Sequence, residues 1–348
     1  MSGPLYMPVL PTRPHAADAY RRLRPDVQSA IAPIWSLPPR PGWPHDTLVV
    51  EIRHDLNSVI RSQRYHPAWV DAPFADETEV SVLTELLPEV SSLGPLRPVT
   101  GPGRSELQQV AALTAARLSG RGLGIRVPMP GEWGSGVADV VRDLLARADP
   151  VIGVDLLLDL VAVRGDRPDA GKEALRALDA LVPLAPWRTV AVMGGGFPQV
   201  TADMLAGGLK EEPRMDWLVW HEIADSDRVF TSMLNYGDYG VQPAAAIART
   251  PRPRNGGPAW GVLPYTTDRS FVLGKMLARG GDAKARNRGV ARQFLEHPGF
   301  RGATAGSAET WLRDCARGGG KGGTGNAGTW LWVGNAQHMT YTVHSLRR

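Results

Sequence analysis

The sequence predicts an α/β protein of the (β/α)8 TIM-like barrel class, with a C-terminal α+β extension packed on it. Three observations point there. Eight short apolar runs alternate with segments of helical period between Leu5 and Ile223, the count such a barrel requires. The later runs, Val151–Leu157, Thr189–Met193 and Trp217–Ile223, are almost continuously apolar, as strands buried on both faces are. Beyond Gly240 the alternation stops and the chain turns basic. An open doubly wound sheet shares the alternation. The barrel is preferred because no strand leads into a dinucleotide-binding glycine loop.

Taken in order, Leu5–Leu10 is the first strand, and Tyr20, Leu23, Val27 and Ile31 mark the helix after it. Ile31–Leu37 is the second strand. Thr47–Arg61 favours a strand by local propensity, yet Val49, Ile52, Leu56, Val59 and Ile60 keep a helical period, so a helix is expected with Asp46 as its N-cap. Ala68–Ala72, Leu96–Thr100 and Gly122–Met129 are the next strands. Helices over Asp76–Leu93, from Ser105 to Ser119, and over Gly136–Arg147 follow them in turn. Val151–Leu157, the helix Asp169–Leu181, Thr189–Met193 and a short helix Val200–Leu209 lead to Trp217–Ile223, the expected closing strand. The extension offers a strand at Ala259–Leu263, helices over Ser270–Arg279, Ala283–Glu296 and Ala308–Ala316, and a strand at Thr329–Gly334 before a last run, Gln337–His344. The expected division is a barrel over residues 1–240 and a basic subdomain over 241–348.

Composition narrows the classes. The 348 residues, with 43% hydrophobic and 21% charged side chains, can bury a large core. The opening MSGPLYMPVLP lacks a basic start and a long apolar run, and no stretch of about 18 apolar residues occurs, so a cytoplasmic location and no membrane contact are expected. Cys315 is the single cysteine, which excludes an internal disulfide and every multi-cysteine zinc site. Residues 241–348 hold 16 Lys and Arg against 5 Asp and Glu, whereas residues 1–240 hold 23 against 30. The two parts attract each other within one molecule, or the basic part meets phosphate or another acidic partner.

Four stretches, YMPVL, RLRPDVQSAIAPIWSLP, NYGDYGVQ and WLWVGNAQHMTYTV, resemble the phage beta-protein family and its bacterial relatives. The resemblance spans most of the chain. It implies a role in phage–host conflict and carries over no reaction. Two positions depart from the family pattern: Ala336–Gln337–His338 stands where relatives tend towards Asn–His–His, and no His separates Gln242 from Pro243.

Functional residues of a (β/α)8 barrel lie at the C-terminal ends of its strands. By that rule Asp155, His221 and Glu222 are the expected catalytic groups, with His221 titrating near neutrality and an acid orienting it. Asp71, Arg126, Gly195, Tyr236 and Asp238 are the expected ligand-binding residues. Asp71, Asp155 and Glu222 with His221 also suit a hard divalent cation, though no metal or other cofactor is assigned. On the plainer reading, Asp155 and Arg126 form a buried ion pair that fills the barrel. Gly194–Gly196 either admits a phosphate to the backbone or makes a tight turn. His221–Glu222 lacks the second His of a metalloprotease helix, and Lys321–Gly325 lacks the lysine and hydroxyl of a P-loop. The expected function is binding of a small or phosphate-bearing ligand at the barrel mouth, with hydrolysis as the reaction class if there is one. The alternative is a non-catalytic module that grips a protein or nucleic acid through Trp330, Trp332 and the arginines at 252, 254, 286, 288 and 292.

Overall fold

The computed structural model describes residues 4–63, 66–250, 259–318 and 323–348. Its strands are β1 (Tyr6–Pro11), β2 (Ile34–Ser36), β3 (Ala68–Asp71), β4 (Leu96–Thr100), β5 (Leu123–Pro128), β6 (Val154–Ala162), β7 (Thr189–Gly195), β8 (Lys210–Pro213), β9 (Leu234–Asp238), β10 (Trp260–Thr266) and β11 (Ser270–Leu277). The helices of the first seven units are α1 (Pro14–Arg21), α2 (Pro25–Gln28), α3 (His45–Ser62), α4 (Glu77–Leu93), α5 (Glu106–Ser119), α6 (Val137–Ala146), α7 (Ala170–Leu181) and α8 (Met215–Ala224). Three more, α9 (Ala283–Glu296), α10 (Ser307–Arg317) and α11 (Ala327–Leu346), end the chain. β1 to β7 and β9 form a closed, all-parallel barrel, and β9 pairs with both β7 and β1. The chain therefore has the (β/α)8 barrel its alternation predicts.

Local signals explain several elements. Pro14 starts α1 without losing a needed N–H. Asp76 and Glu79 make a reciprocal capping box on α4, and Ser105 caps α5, which ends at Gly120 in the left-handed conformation. The helical period also prevails over strand propensity in α3, although its cap is Pro44 and Asp46 sits in the first turn.

The closing strand is not Trp217–Ile223. That run is most of α8, and its buried residues Asp216, Trp217, Val219 and Ile223 recur at helical spacing while Leu218, His221 and Glu222 face outward. A short apolar run does not distinguish a buried strand from a helix. The true closing strand, β9, is LNYGD, poor in strand formers. It fits because Gly237 faces a crowded lumen: a Cβ there would lie 2.5 Å from Met193 Cγ and 2.8 Å from the Met7 carbonyl oxygen.

The extension also differs from expectation. Ser270–Leu277 is a strand, and Thr329–Gly334 together with Gln337–His344 lies within one helix, α11. Most of Val200–Leu209 is irregular around a short 3-10 turn, Asp203–Leu205. β10, β11 and β8 form a small antiparallel sheet. Elements thus interleave across Gly240. β8 enters between β7 and α8, while α11 packs on β1 and α1 and occupies the place of the barrel's eighth helix. The small sheet with α9 and α10 is what the loops after the last two barrel strands have grown into.

Substituting Gly237 by Val forces a side chain against the Met7 backbone, so destabilisation of about 1–3 kcal/mol or more is expected by urea unfolding. Gly103→Ala, which meets nothing within 4 Å, is the control and should change little.

Candidate functional site

Inward-facing residues near the ends of β3, β5 and β6, and the residue after β9, meet inside the upper barrel. Arg126 Nη1 donates to Asp71 Oδ2 at 2.6 Å, and its Nη2 to Asp159 Oδ2 at 2.7 Å and to the Tyr239 hydroxyl at 2.7 Å. That hydroxyl donates in turn to Asp159 at 2.8 Å. Arg104, from the loop after β4, donates to Asp71 at 2.9 Å. Two carboxylates face two guanidinium groups, and Arg126, Asp71 and Asp159 are all buried. Burial opposes the Arg126 charge, but Asp159, Tyr239 and Asp71 outweigh it and hold its pKa above the ordinary value. Burial, with Asp159 adjacent, pushes the Tyr239 phenol up, so it stays an O–H donor.

The backbone is strained here. Val161 has φ 59° and is the one non-glycine residue with positive φ among the described residues, at a register shift between Asp159 and Ala162. A β-branched residue in that region is an outlier, and a bulge at a barrel rim re-aims side chains. The Val161 N–H donates to Asp159 Oδ1 at 2.9 Å, which fixes the carboxylate that Arg126 and Tyr239 use.

A lid closes this network from above. The 3-10 turn Ala244–Ala248 places Ala244 and Ile247 among the lumen side chains. Gly195 makes room, because a Cβ there would stand 2.8 Å from Ala244 Cβ and 3.0 Å from the Val161 carbonyl oxygen. Open space lies on the other side of the lid, in a cleft of about 410 Å3 bounded by the loops after β1, β7 and β9 and by β10 and α11. Its lining includes Arg13, His15, Gln242, Arg249, Trp260 and Trp330, and no carboxylate among the described residues. Arg13 Nη2 donates to the Arg249 carbonyl at 2.7 Å. Burial, reinforced by the charges of Arg40 and Arg249, lowers the Arg13 pKa. Burial and Arg13 push His15 down to about 4. His15 is therefore neutral at pH 7, and its Nε2 lies 3.0 Å from the Gln242 side-chain nitrogen.

A family model described as Beta protein matches residues 6–344, from β1 to the last turn of α11. The chain belongs to the Beta protein family. Comparison with curated proteins gives no match.

In this Beta protein family member the residues expected to form one site separate into four places. Asp71 and Arg126 share the upper network. Asp155 lies near the opposite end of β6, where Arg188 Nε donates to it at 2.9 Å, Trp69 Nε1 at 2.9 Å, and Arg97 stands 3.6 Å away. The expected Arg126–Asp155 pair is thus replaced by two networks, one at each end of the barrel. Tyr236 and Asp238 face outward from β9. The Tyr236 hydroxyl donates to Asp216, and Asp238 accepts from Tyr6 at 2.5 Å and from His338 Nε2 at 2.8 Å. His221 and Glu222 are exposed on α8; His221 stands edge-on to Trp217, and Glu222 lies against Gly171. The divalent-ion set of Asp71, Asp155, His221 and Glu222 is consequently dispersed.

In the extension, Trp330 is buried with its Nε1 on the Thr324 carbonyl, and Trp332 lies under Arg22 on the outside of α11. Arg286 pairs with Asp282 on its own helix. Arg252 and Arg254, and Lys321 of the glycine-rich segment, lie outside the described residues. No described helix is long and apolar enough to cross a membrane.

The rule of strand ends, applied to β1 and to the correct closing strand, would have selected Arg13, His15, Gln242 and Arg249. Trp260 carried no comparable signal.

Arg126→Met removes one side of a buried charge network and leaves two carboxylates short of partners, so a loss of about 3–5 kcal/mol is expected in thermal or urea unfolding. For His15, an NMR titration should find the imidazole midpoint near 4 rather than about 6.5. The unfolded chain then binds a proton that the folded chain refuses. This contribution lowers stability as pH falls from about 6.5 to about 4, and His15→Gln should remove it.

Proposed function

We propose that the protein is a ligand-binding barrel whose cleft takes a small phosphate-bearing molecule. The observation that carries the reading is the pair Arg13 and Arg249 in a cleft whose lining, among the described residues, holds no carboxylate. The position supports it, since the loops after the last two barrel strands are where such barrels bind phosphate. The chemistry supports it too: Arg13 is partly buried beside the exposed Arg249, and an anion that meets both relieves their mutual repulsion. The upper charge network serves as a rigid floor beneath the lid, so Asp71 and Arg126 act through position. A reaction at Asp155, His221 and Glu222 is not part of this reading, because those groups stand at the far end of the barrel and on its outer wall. Phage–host conflict, the setting implied by the family resemblance, is consistent with a sensor or sequestrant of a phosphorylated metabolite.

Isothermal titration with inorganic pyrophosphate tests the assignment. Arg13→Ala and Arg249→Ala should each weaken binding by roughly 10-fold or more, the scale of a lost charge-assisted hydrogen bond, and affinity should fall with added salt. His221→Ala should bind as the parent does. Pyrophosphate affinity that survives both arginine substitutions in folded protein, or that His221→Ala abolishes, would overturn the site.

A further inference from the structure

The two walls of the cleft differ in chemistry. The barrel side presents Arg13, Arg249 and the amide of Gln242, while β10 and α11 present Trp260, Val262, Trp330 and Leu331. A free phosphate would use the first wall and gain nothing from the second. Trp330 is buried and packed, because Gly261 leaves its ring room that a Cβ would take at 2.9 Å. Trp260 is half-buried on the cleft wall, with Lys275 Nζ 5.5 Å from its ring centroid. That cation and the neighbouring Val262 and Phe197 side of the core restrain the ring without burying it. A half-buried aromatic ring and two arginines lining one cleft suit a ligand with an anionic group at one end and a planar ring at the other. The neutral His15–Gln242 pair adds uncharged hydrogen-bonding capacity to the barrel wall, which an anion alone would not require. The volume of about 410 Å3 is at the small end of the range of about 300–1,000 Å3 for ligand pockets, room for one nucleotide rather than a polymer.

Resting on the phosphate-binding reading above, we infer that the ligand class is a nucleoside monophosphate. The phosphate meets Arg13 and Arg249, the base stacks on Trp260, and Gln242 meets a polar edge. Specificity for the organic half then resides in the grown loop that supplies β10, and affinity for the phosphate in the barrel loops.

Titration of the full chain with AMP, GMP, CMP and UMP, with inorganic phosphate and with adenosine tests this. At least one monophosphate should bind about 10-fold tighter than inorganic phosphate, within the gain that base–aromatic stacking provides. Trp260→Ala should bring that monophosphate down to the phosphate level, and Trp260→Phe should restore most of the difference, which separates stacking from a folding defect. Arg13→Ala should weaken phosphate and monophosphate together. If phosphate binds but no monophosphate exceeds it, or if Trp260→Ala leaves the advantage intact, the nucleoside inference fails and the phosphate reading stands. If neither phosphate nor any monophosphate binds, the reading beneath it fails as well.

Discussion

The Asp238 carboxylate ties the closed barrel to everything built on it. It sits on the closing strand, where Pro8 of β1 and Gly194 of β7 flank it in register. It accepts from Tyr6 on the first strand, from His338 on the last helix, and from its own Gly240 N–H at 2.8 Å. His338 continues to Thr266 of β10 through Nδ1 at 2.8 Å. Barrel seam, final helix and small sheet therefore share one hydrogen-bonded chain. Burial alone would raise the Asp238 pKa, but His338, Tyr6 and the Gly240 N–H outweigh it and hold it below the ordinary carboxylate range. An ionised carboxylate can only accept, so the His338 proton facing it is on Nε2. Close by, Asp216 is shifted the opposite way, chiefly by burial and despite Arg214.

Strand alternation turns that anchor into a site. Asp238 points out to α11, and the next residue, Tyr239, points in to Arg126 and Asp159. One residue further, Gly240 takes a left-handed turn at φ +59° and sends the chain over the mouth as the lid. A Cβ at Gly240 would meet Asn335 Oδ1 at 2.4 Å, so the turn is shaped by α11 as well as by the barrel. The cleft exists because the outer network seats α11 and β10 beside a lid that the inner network supports. Neither half of the cleft is complete without the other.

The alternation of apolar runs and helical periods was sufficient to read the barrel, including its count of eight. It misplaced the last strand because α8 is short and apolar, whereas β9 is spelled with Asn, Gly and Asp. Those residues suit β9 for tertiary reasons: Gly237 because the lumen is full, and Asp238 because His338 waits outside it. The misplacement carried His221 and Glu222 to a mouth they do not reach. Asp155 failed differently. β6 runs nine residues, Val154–Ala162, so Asp155, its second residue, lies near the start of the strand, and Asp159, four residues on, is nearer the mouth. Asp71 and Arg126 do meet inside the upper barrel, but that a third strand supplies Asp159 to share Arg126 depends on barrel geometry that no local pattern encodes. Trp260 and the apolar cleft wall depend on a sheet assembled from segments on both sides of α8, and sequence spacing carries no trace of it.

Hydrogen–deuterium exchange with and without saturating inorganic pyrophosphate tests the central claim, that barrel loops and extension form one site. Protection should appear together in the loop after β7 (residues 197–201), in the lid at residues 241–249 and in β10, with α8 unchanged. Protection confined to α8, or present in the barrel loops while β10 exchanges as before, would contradict it.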